Sequence, residues 1–123
     1  MAAPNLVNVT TITGKTHGQA LDTTTTTSIL ANGGSSGDVY KINSIIVANI
    51  DGTNSCDVTV SFYDGSSDWK LAHTVAVPAD TTLVVLGKNS PIYLEEGDAI
   101  RAGASANSDL HIVIRYEVLT DDE

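Results

Sequence analysis

Apolar and polar residues alternate along the last strand-like run of the chain, residues 110–118. Successive side chains of a β-strand point to opposite faces, so a repeat of two predicts a strand with one buried face. We expect the apolar face of this strand to lie in the core; it consists of Leu110, Ile112, Ile114, Tyr116 and Val118.

Runs of the same kind recur through the chain. β-branched and aromatic residues fill them, and Gly, Pro, Asn, Asp and Ser separate them, as expected for strands and turns. Gly14 is expected to end the first strand, and a slip of the alternation near Ser44 predicts a β-bulge. The further predicted strands are residues 6–13, 23–31, 39–50, 57–63, 69–77, 82–86, 92–94 and 99–102.

This spacing indicates an all-β protein. About eight or nine strands, with turn signals roughly every ten residues, are typical of two packed antiparallel sheets. No stretch of about twelve residues has a helical period. The predicted architecture is an antiparallel β-sandwich, jelly-roll-like, and a closed barrel is the structural alternative.

The chain of 123 residues is expected to form one domain with three parts. Residues 1–38 are polar and rich in threonine, and they form either an arm or edge strands of the sandwich. Residues 39–120 are more apolar and form the β-sandwich core. Residues 121–123 are an acidic tail.

The charge narrows the classes of partner. Fifteen Asp and Glu against six Lys and Arg give a net charge of −9, which disfavours nucleic acids and anionic membranes because both are bound through clustered cations. The charge either keeps the protein soluble or attracts a basic partner. One cysteine excludes a disulfide within the chain. No secretory signal or membrane-spanning apolar run is recognised, so synthesis inside the cell is expected.

The sequence offers little reactive chemistry. His17, His73 and His111 lie in separate segments, and neither they nor Cys56 have metal-ligand spacing. We therefore expect no cofactor and no metal. His73 has the phase of an inward-pointing residue of its strand. Gly14-Lys15-Thr16 resembles the end of a phosphate loop but lacks the earlier glycine.

Two acidic segments have alternative interpretations. Asp51, Asn54 and Asp57 have oxygens suited to calcium, but the same residue types form tight turns. The segment Glu95-Glu96-Gly97-Asp98 could supply acid–base catalysis, but it also suits an exposed turn whose carboxyls have unshifted pKa values. The turn is the favoured interpretation for both segments. We expect no enzyme activity.

Six segments between Val39 and Val118 carry a resemblance to a known class of protein. They are Tyr-Lys-Ile-Asn-Ser-Ile-Ile-Val-Ala-Asn, Val-Thr-Val-Ser-Phe-Tyr-Asp-Gly, Leu-Ala-His-Thr-Val-Ala-Val-Pro-Ala, Leu-Val-Val-Leu-Gly-Lys, Ile-Tyr-Leu-Glu-Glu-Gly-Asp and Ile-Arg-Tyr-Glu. Together they resemble the small virion proteins of tailed bacteriophages, β-sandwiches that decorate capsids or form parts of tails and fibres. The first 38 residues share no such likeness.

The resemblance implies a structural virion protein. The expected role is that of a capsid decoration (cement) protein, which binds the outer capsid surface as a symmetric oligomer and stabilises the particle. It implies the major capsid protein as partner, a homotrimer as the oligomer, and a virion assembled in the host cytoplasm. If residues 1–38 form an arm, the expected apolar contacts with the capsid are Leu6, Val7, Val9 and Ile12.

Two alternatives remain open. One is a tail, neck or fibre component of a phage. The other is a carbohydrate-binding module, because jelly rolls also serve that purpose. Sugar rings stack on exposed aromatic side chains, and Trp69 is the candidate platform.

Overall fold

A computed structural model describes residues 11–87 and 89–120. In this part of the chain nine β-strands form, and none of its residues is helical. The strands are β1 (Thr11–Ala20), β2 (Ser28–Ala31), β3 (Asp38–Asn49), β4 (Cys56–Tyr63), β5 (Asp68–Val77), β6 (Thr82–Leu86), β7 (Ile92–Leu94), β8 (Ala99–Ala104) and β9 (Leu110–Thr120).

The strands form two antiparallel sheets. Sheet A has the order β1-β9-β3-β6, with β7 also paired to β3, and sheet B has the order β2-β8-β4-β5. Since β6 and β7 pair with successive parts of β3, they occupy the place of one interrupted strand. With β6 and β7 counted as one strand, each sheet has four strands, and the chain crosses between the sheets as in a jelly roll. The predicted all-β sandwich is confirmed, and the barrel alternative is not formed.

The beginning of the sandwich differs from the predicted strands. The predicted residues 6–10 lie outside the described part of the chain. Within it, β1 (Thr11–Ala20) runs through Gly14, which was expected to end the strand, because β1 pairs with β9 in an unbroken register. Residues 23–27 form a loop instead of a strand. The Asp22 carboxylate accepts hydrogen bonds from the Thr24 amide (2.9 Å) and the Thr27 hydroxyl (3.0 Å), and such local bonds favour a turn over a strand.

Two of the bulges in the sheets bear on side chains whose direction was predicted from the sequence. In β3, the register with β9 shifts between Ile42 and Ser44, which confirms the bulge expected there. In β5, His73 and Thr74 together lie opposite the single residue Thr59, because Val75 pairs with Val58 and Ala72 with Val60. His73 is therefore exposed, and the prediction that it points inward is wrong: a bulge reverses the phase of the residues around it.

The core lies between the two sheets. Leu110, Ile112 and Ile114 of β9 are fully buried in it, while Tyr116 and Val118 are half-buried on the same face. The remaining buried members are Leu21, Ile29, Ile42, Ile45, Val47, Cys56, Val58, Val60, Val77, Leu86, Leu94, Ile100, Ala102 and Ala104. Burying a side chain of this size contributes about 1.5–3 kcal/mol, so the sandwich is held chiefly by this layer.

Two buried asparagines hold the loops at the two ends of the sandwich. The amide of Asn49 donates to the carbonyls of Val77 (2.8 Å) and Asn54 (3.0 Å). At the other end, the amide of Asn32 donates to the carbonyls of Asp38 (2.8 Å) and Leu94 (3.0 Å). Each side chain satisfies backbone groups from more than one loop, which a buried loop requires.

Candidate interaction surface

The outer face of sheet B is covered by its own chain over β8 and β4, while β5 stays exposed. The loop of residues 23–27 crosses β8 at Gly103, where a Cβ atom would lie 2.6 Å from the Cα of Thr25. Further along the sheet, the Arg101 guanidinium stacks 3.4 Å from the ring centre of Tyr63 and forms an ion pair of 3.2 Å with Asp68. These contacts leave sheet A as the more open of the two outer faces.

β1 is an edge strand with little cover. It pairs with β9 on one side, and the described residues add no strand on its other side. Eight of its ten residues are exposed and the other two are half-buried. Ile12, with 59 % of its surface exposed, is its large apolar residue. An open strand edge can pair with another chain, and the Lys15 on this strand is a usual protection against uncontrolled pairing.

The outer face of sheet A also carries apolar side chains. One row crosses four strands as Gly18, Val113, Ile46 and Val84, which are opposite one another in register. Val84 is 62 % exposed, and Tyr93, opposite Lys41, is 42 % exposed. Together with Ile12, they are three of the five large apolar side chains exposed in the described part of the chain. Ile12 on β1 and Val84 on β6 lie on the two outermost strands of sheet A, so these side chains are spread across the face.

A cationic depression lies beside this apolar row. It has a volume of about 440 Å³. Its position follows from the register: Arg115 lies opposite Thr16, and Glu117 lies between Gly14 and Lys41 on the neighbouring strands. Gly14 leaves space there, because a Cβ at this position would have no atom within 4 Å. The lining consists of Gly14, Lys15, Thr16, Lys41, Asn43, Arg115, Tyr116 and Glu117.

Most carboxylates lie at the ends of the sandwich instead. The loops of residues 32–37, 64–67 and 95–98 meet at one end, which we call the acidic end. Gly97 donates its amide to the Asn32 carbonyl (3.0 Å), and Gly65 lies beside the carbonyl of Gly97. The carboxylates in and beside these loops are Asp38, Asp64, Asp68, Glu95, Glu96 and Asp98.

Asp98 is buried within the acidic end and accepts a hydrogen bond from the Glu95 amide (2.9 Å). Burial raises the pKa of Asp98, and the charges of Glu95 and Asp64 raise it further, while the hydrogen bond lowers it. The expectation that this turn carries only exposed carboxyls with unshifted pKa values is therefore wrong for Asp98.

Asp51 caps a tight turn. The Asp51 carboxylate accepts from the amides of Thr53 (2.8 Å) and Asn54 (3.2 Å), and these bonds lower its pKa. These bonds are those of the tight turn that the sequence favours over a calcium site. Asp57 takes no part in them. The described residues contain no group of three or more His, Cys, Asp or Glu able to hold a metal ion.

Trp69 is exposed and fixed in orientation. Its indole N–H donates to the Asp64 carboxylate (2.9 Å), which also accepts from the amides of Ser66 and Ser67. These three bonds, that of Trp69 first, lower the pKa of Asp64. The neighbouring ring of Tyr63 is covered by Arg101. A sugar ring could therefore stack on the indole of Trp69 but not on Tyr63 as well.

The structure separates the residues that the sequence singled out. Leu6, Val7 and Val9 lie outside the described residues, and Ile12 lies on the exposed edge strand. His17 contacts Gln19 (3.0 Å) and His111 is exposed on β9, so the three histidines stay apart. Cys56 is buried beside Ser105.

The cationic depression was missed in the sequence. Lys41 and Arg115 are distant along the chain and share the outer face only through the pairing of β3 with β9, whereas Lys15 lies opposite Tyr116 on the other face of β1. The alternation of β9 places Arg115 on the outer face, but alternation alone does not give the order of strands in a sheet.

No helix in the described part of the chain is long and apolar enough to cross a membrane.

Comparisons with known proteins give similarity of structure alone. No protein-family model and no curated protein matches the chain. Two solved structures, both of a pentameric capsid protein isolated from metagenomic phage sequences, align with 97 % and 96 % of this chain. Their identities are 18 % and 17 %, and their TM-scores are 0.41 and 0.37. This chain spans 65 % of the length of the first and 68 % of the second. At these TM-scores the likeness carries no conclusion about function.

Proposed function

We propose that the chain is a structural virion protein that decorates the outer surface of a bacteriophage capsid and stabilises the particle. The main support is the position in the fold of the segments that resemble phage virion proteins. Each of the six segments that resemble phage virion proteins overlaps a strand of the jelly roll, and together they contribute to both sheets. Jelly rolls are a recurrent fold of viral capsid domains.

The proposed role is mechanical and not catalytic. A decoration protein bridges neighbouring capsomers, so that internal pressure must break additional contacts before the shell opens. This role requires a rigid body and an adherent surface. The continuous core between the sheets and the loops held by Asn32 and Asn49 make the body rigid. The open outer side of sheet A is the adherent surface.

The edge strand β1 is the proposed contact with the major capsid protein. It is exposed on both faces, has an open edge and carries Ile12 at 59 % exposure. If Leu6, Val7 and Val9 contribute to the same contact, they extend it from the beginning of this strand. Symmetric copies on equivalent sites of the shell, three at a local three-fold axis, are the expected arrangement.

Binding to undecorated capsids of the phage that encodes the chain tests the proposal. Co-sedimentation should show saturable binding at a fixed ratio per capsomer, and decorated capsids should rupture at a higher temperature than bare ones. Ile12→Asp should lower the occupancy. Ile50→Asp is the matched control, because Ile50 is 54 % exposed but lies beyond the end of β3.

Two results would overturn the proposed role. Absence of binding at saturating protein would exclude decoration of that shell. A small stoichiometry confined to one vertex would favour the alternative of a tail, neck or fibre component.

Glycan binding is the second candidate function, favoured by the exposed and oriented indole of Trp69. A glycan array with the purified chain and with Trp69→Ala tests it. Binding by the natural chain that is lost in the variant would support this function, and silence of the natural chain would exclude it for the glycans on the array.

A further inference from the structure

Among the edge strands in the described part of the chain, β1 is the one that is both long and regular. It has ten residues and pairs with β9 without a register shift. The other edge strands are short or bulged: β2, β6 and β7 have four, five and three residues, and the register of β5 with β4 shifts twice. Short length and bulges are usual protections of a sheet edge against further pairing. β1 has neither of them.

The backbone of β1 is open to another strand. In an antiparallel pair, alternate residues direct their amide and carbonyl groups away from the partner strand. On the side of β1 away from β9, no strand or loop of residues 11–87 and 89–120 bonds to the backbone of residues 12–20. A strand added there would satisfy these groups, and its side chains would alternate between the two faces of sheet A.

Two glycines of β1 border depressions on the outer face of sheet A. Gly14 borders the cationic depression. Gly18 borders a second depression of about 300 Å³, which is lined by Gly18, Gln19, Ala20, His111, Ile112 and Val113. Residues four apart on a strand share a face and are about 13 Å apart, so the two depressions lie in line along the edge. Two side chains of an added strand, also four residues apart, match this spacing.

The same glycines leave a path from the edge to the depressions. A Cβ at Gly14 would have no atom within 4 Å, and a Cβ at Gly18 would meet only Val113 Cγ2 (3.9 Å) and the Ile112 carbonyl oxygen (4.0 Å). A side chain of an added strand can therefore lie over β1 and reach β9. Bulky side chains of a neighbouring strand cover edge glycines in this way.

The cationic depression suits a carboxylate. On the outer face of sheet A, Arg115 and Lys41 outnumber Glu117, the one carboxylate in the lining. The ion pair within the described residues is that of Arg101 with Asp68 on sheet B, so neither cation of the depression is paired there. Arg115 is exposed and lies on the strand next to β1, within reach of a side chain that crosses Gly14.

The second depression suits an apolar side chain. Its lining has no residue of fixed charge, and His111 is its one ionisable residue. Val113 continues from it into the apolar row through Ile46 and Val84. An apolar side chain placed over Gly18 would therefore bury surface of Val113 as well as its own.

We propose that β1 accepts an extended segment of the major capsid protein as a further strand of sheet A. A carboxylate of this segment would lie in the cationic depression and, four residues away, an apolar side chain in the second depression. The choice of the capsid protein rests on the proposed function. A second copy of this chain fits less well, because β1 has no carboxylate to offer Arg115 and Lys41, and the other edge strands are short or bulged.

Overlapping synthetic peptides that cover the major capsid protein test the inference on the full chain. Fluorescence anisotropy should identify a peptide that binds and that has an acidic and an apolar residue at this spacing. Methylating its amide nitrogens one at a time should weaken binding at alternate positions, because only alternate amides of an added strand face β1. Absence of binding by every peptide, or equal effects at neighbouring positions, would overturn strand addition.

Variants of the chain test the two depressions. Gly18→Val obstructs the second depression, and Arg115→Glu replaces attraction with repulsion in the cationic one. Each should weaken peptide binding by about tenfold or more. Gly87→Val is the control for the first, because a Cβ there has no neighbour within 4 Å and Gly87 follows β6, away from β1. Lys70→Glu, on an exposed residue of sheet B, is the control for the second. Circular dichroism checks that every variant is folded.

Failure of the inference is distinguishable from failure of the proposed function. Equal decoration of capsids by the natural chain, Gly18→Val and Arg115→Glu would overturn strand addition and keep the decoration role. A peptide bound with the alternating methylation pattern, by a chain that leaves capsids bare, would do the reverse. A dimer of the natural chain in light scattering that Gly18→Val separates would assign the β1 edge to a second copy and overturn the inference.

Discussion

Gly103 of β8 lies directly beneath the backbone of Thr25, so close that a Cβ atom on the glycine would be 2.6 Å from the Cα of the threonine. The approach explains why a run of five threonines is not a strand: it is a loop laid across sheet B. The backbone carbonyls of Thr27 and Asp22 accept hydrogen bonds from the β8 amides of Ala102 (3.1 Å) and Ala104 (2.8 Å).

This packing predicts a large effect of Gly103→Ala. The methyl group would meet backbone atoms, which cannot rotate away, so we expect a loss of about 1–3 kcal/mol in the free energy of unfolding. Urea denaturation measures it. Gly14→Ala on β1 is the control, because a Cβ there has no neighbour within 4 Å. A stability of Gly103→Ala equal to that of the control would contradict the position of the loop.

The Asn49 side chain predicts a second stability effect. Asn49→Ala removes two donated bonds and the bond that its oxygen accepts from the Asp51 amide (2.9 Å). Buried groups left unsatisfied cost about 1–3 kcal/mol each, so we expect a loss of about 2–4 kcal/mol in urea denaturation. Asn89→Ala, on an exposed residue, should change stability by less than about 0.5 kcal/mol. Equal effects would refute the role of Asn49.

The bond between Trp69 and Asp64 predicts a spectroscopic transition. The chain has one tryptophan, so its fluorescence reports this bond alone. The pKa of Asp64 is lowered by its hydrogen bonds, and the fluorescence should change as pH falls through that lowered pKa, below about 3.9. Asp64→Asn should abolish the transition, whereas Asp51→Asn should keep it. A midpoint at the usual value for Asp would contradict the geometry.

The sign of the effect on stability follows from the same bonds. A depressed folded-state pKa means that the unfolded chain binds the proton more readily. Asp64 therefore stabilises the fold above its unfolded pKa, and this contribution is lost as pH falls through the folded pKa.

Asp98 predicts the opposite pH dependence. Its pKa is raised by burial and by neighbouring carboxylates, so the folded state binds the proton more readily than the unfolded one. The charged form therefore costs stability above the raised pKa, and the cost disappears as pH falls towards the unfolded value of about 3.9.

Asp98→Asn removes the charge and keeps an oxygen able to accept from the Glu95 amide. The variant should be more stable than the natural chain at pH 7, with a difference that shrinks towards pH 4. Urea denaturation at both pH values measures it. A difference that grows on acidification would show that the assigned direction of the pKa shift is wrong.

The sequence predicts the fold well where one face of a strand is strongly apolar. β6 and β7 match their predicted bounds, and β3, β4, β5 and β9 match within two residues at each end. In these strands burial and turn chemistry favour the same bounds. The predicted end of β1 at Gly14 is wrong, because the strand pairs with β9 without interruption on both sides of this glycine.

The surface features depend on pairs of strands that are distant along the chain. No local pattern brings Lys41 and Arg115 to the same depression, and the bulge at His73 arises from the mismatch between β4 and β5. The burial of Asp98 likewise depends on three loops meeting at one end. Such features follow from topology, which alternation restricts but does not determine.

The most direct test of the central claim is cryo-electron microscopy of undecorated capsids mixed with an excess of the purified chain. The decoration role predicts density for the jelly roll in many equivalent copies on the outer surface of the shell, with the β1 edge and Ile12 towards the major capsid protein. A bare outer surface at saturating protein, or density at a single vertex only, would contradict it.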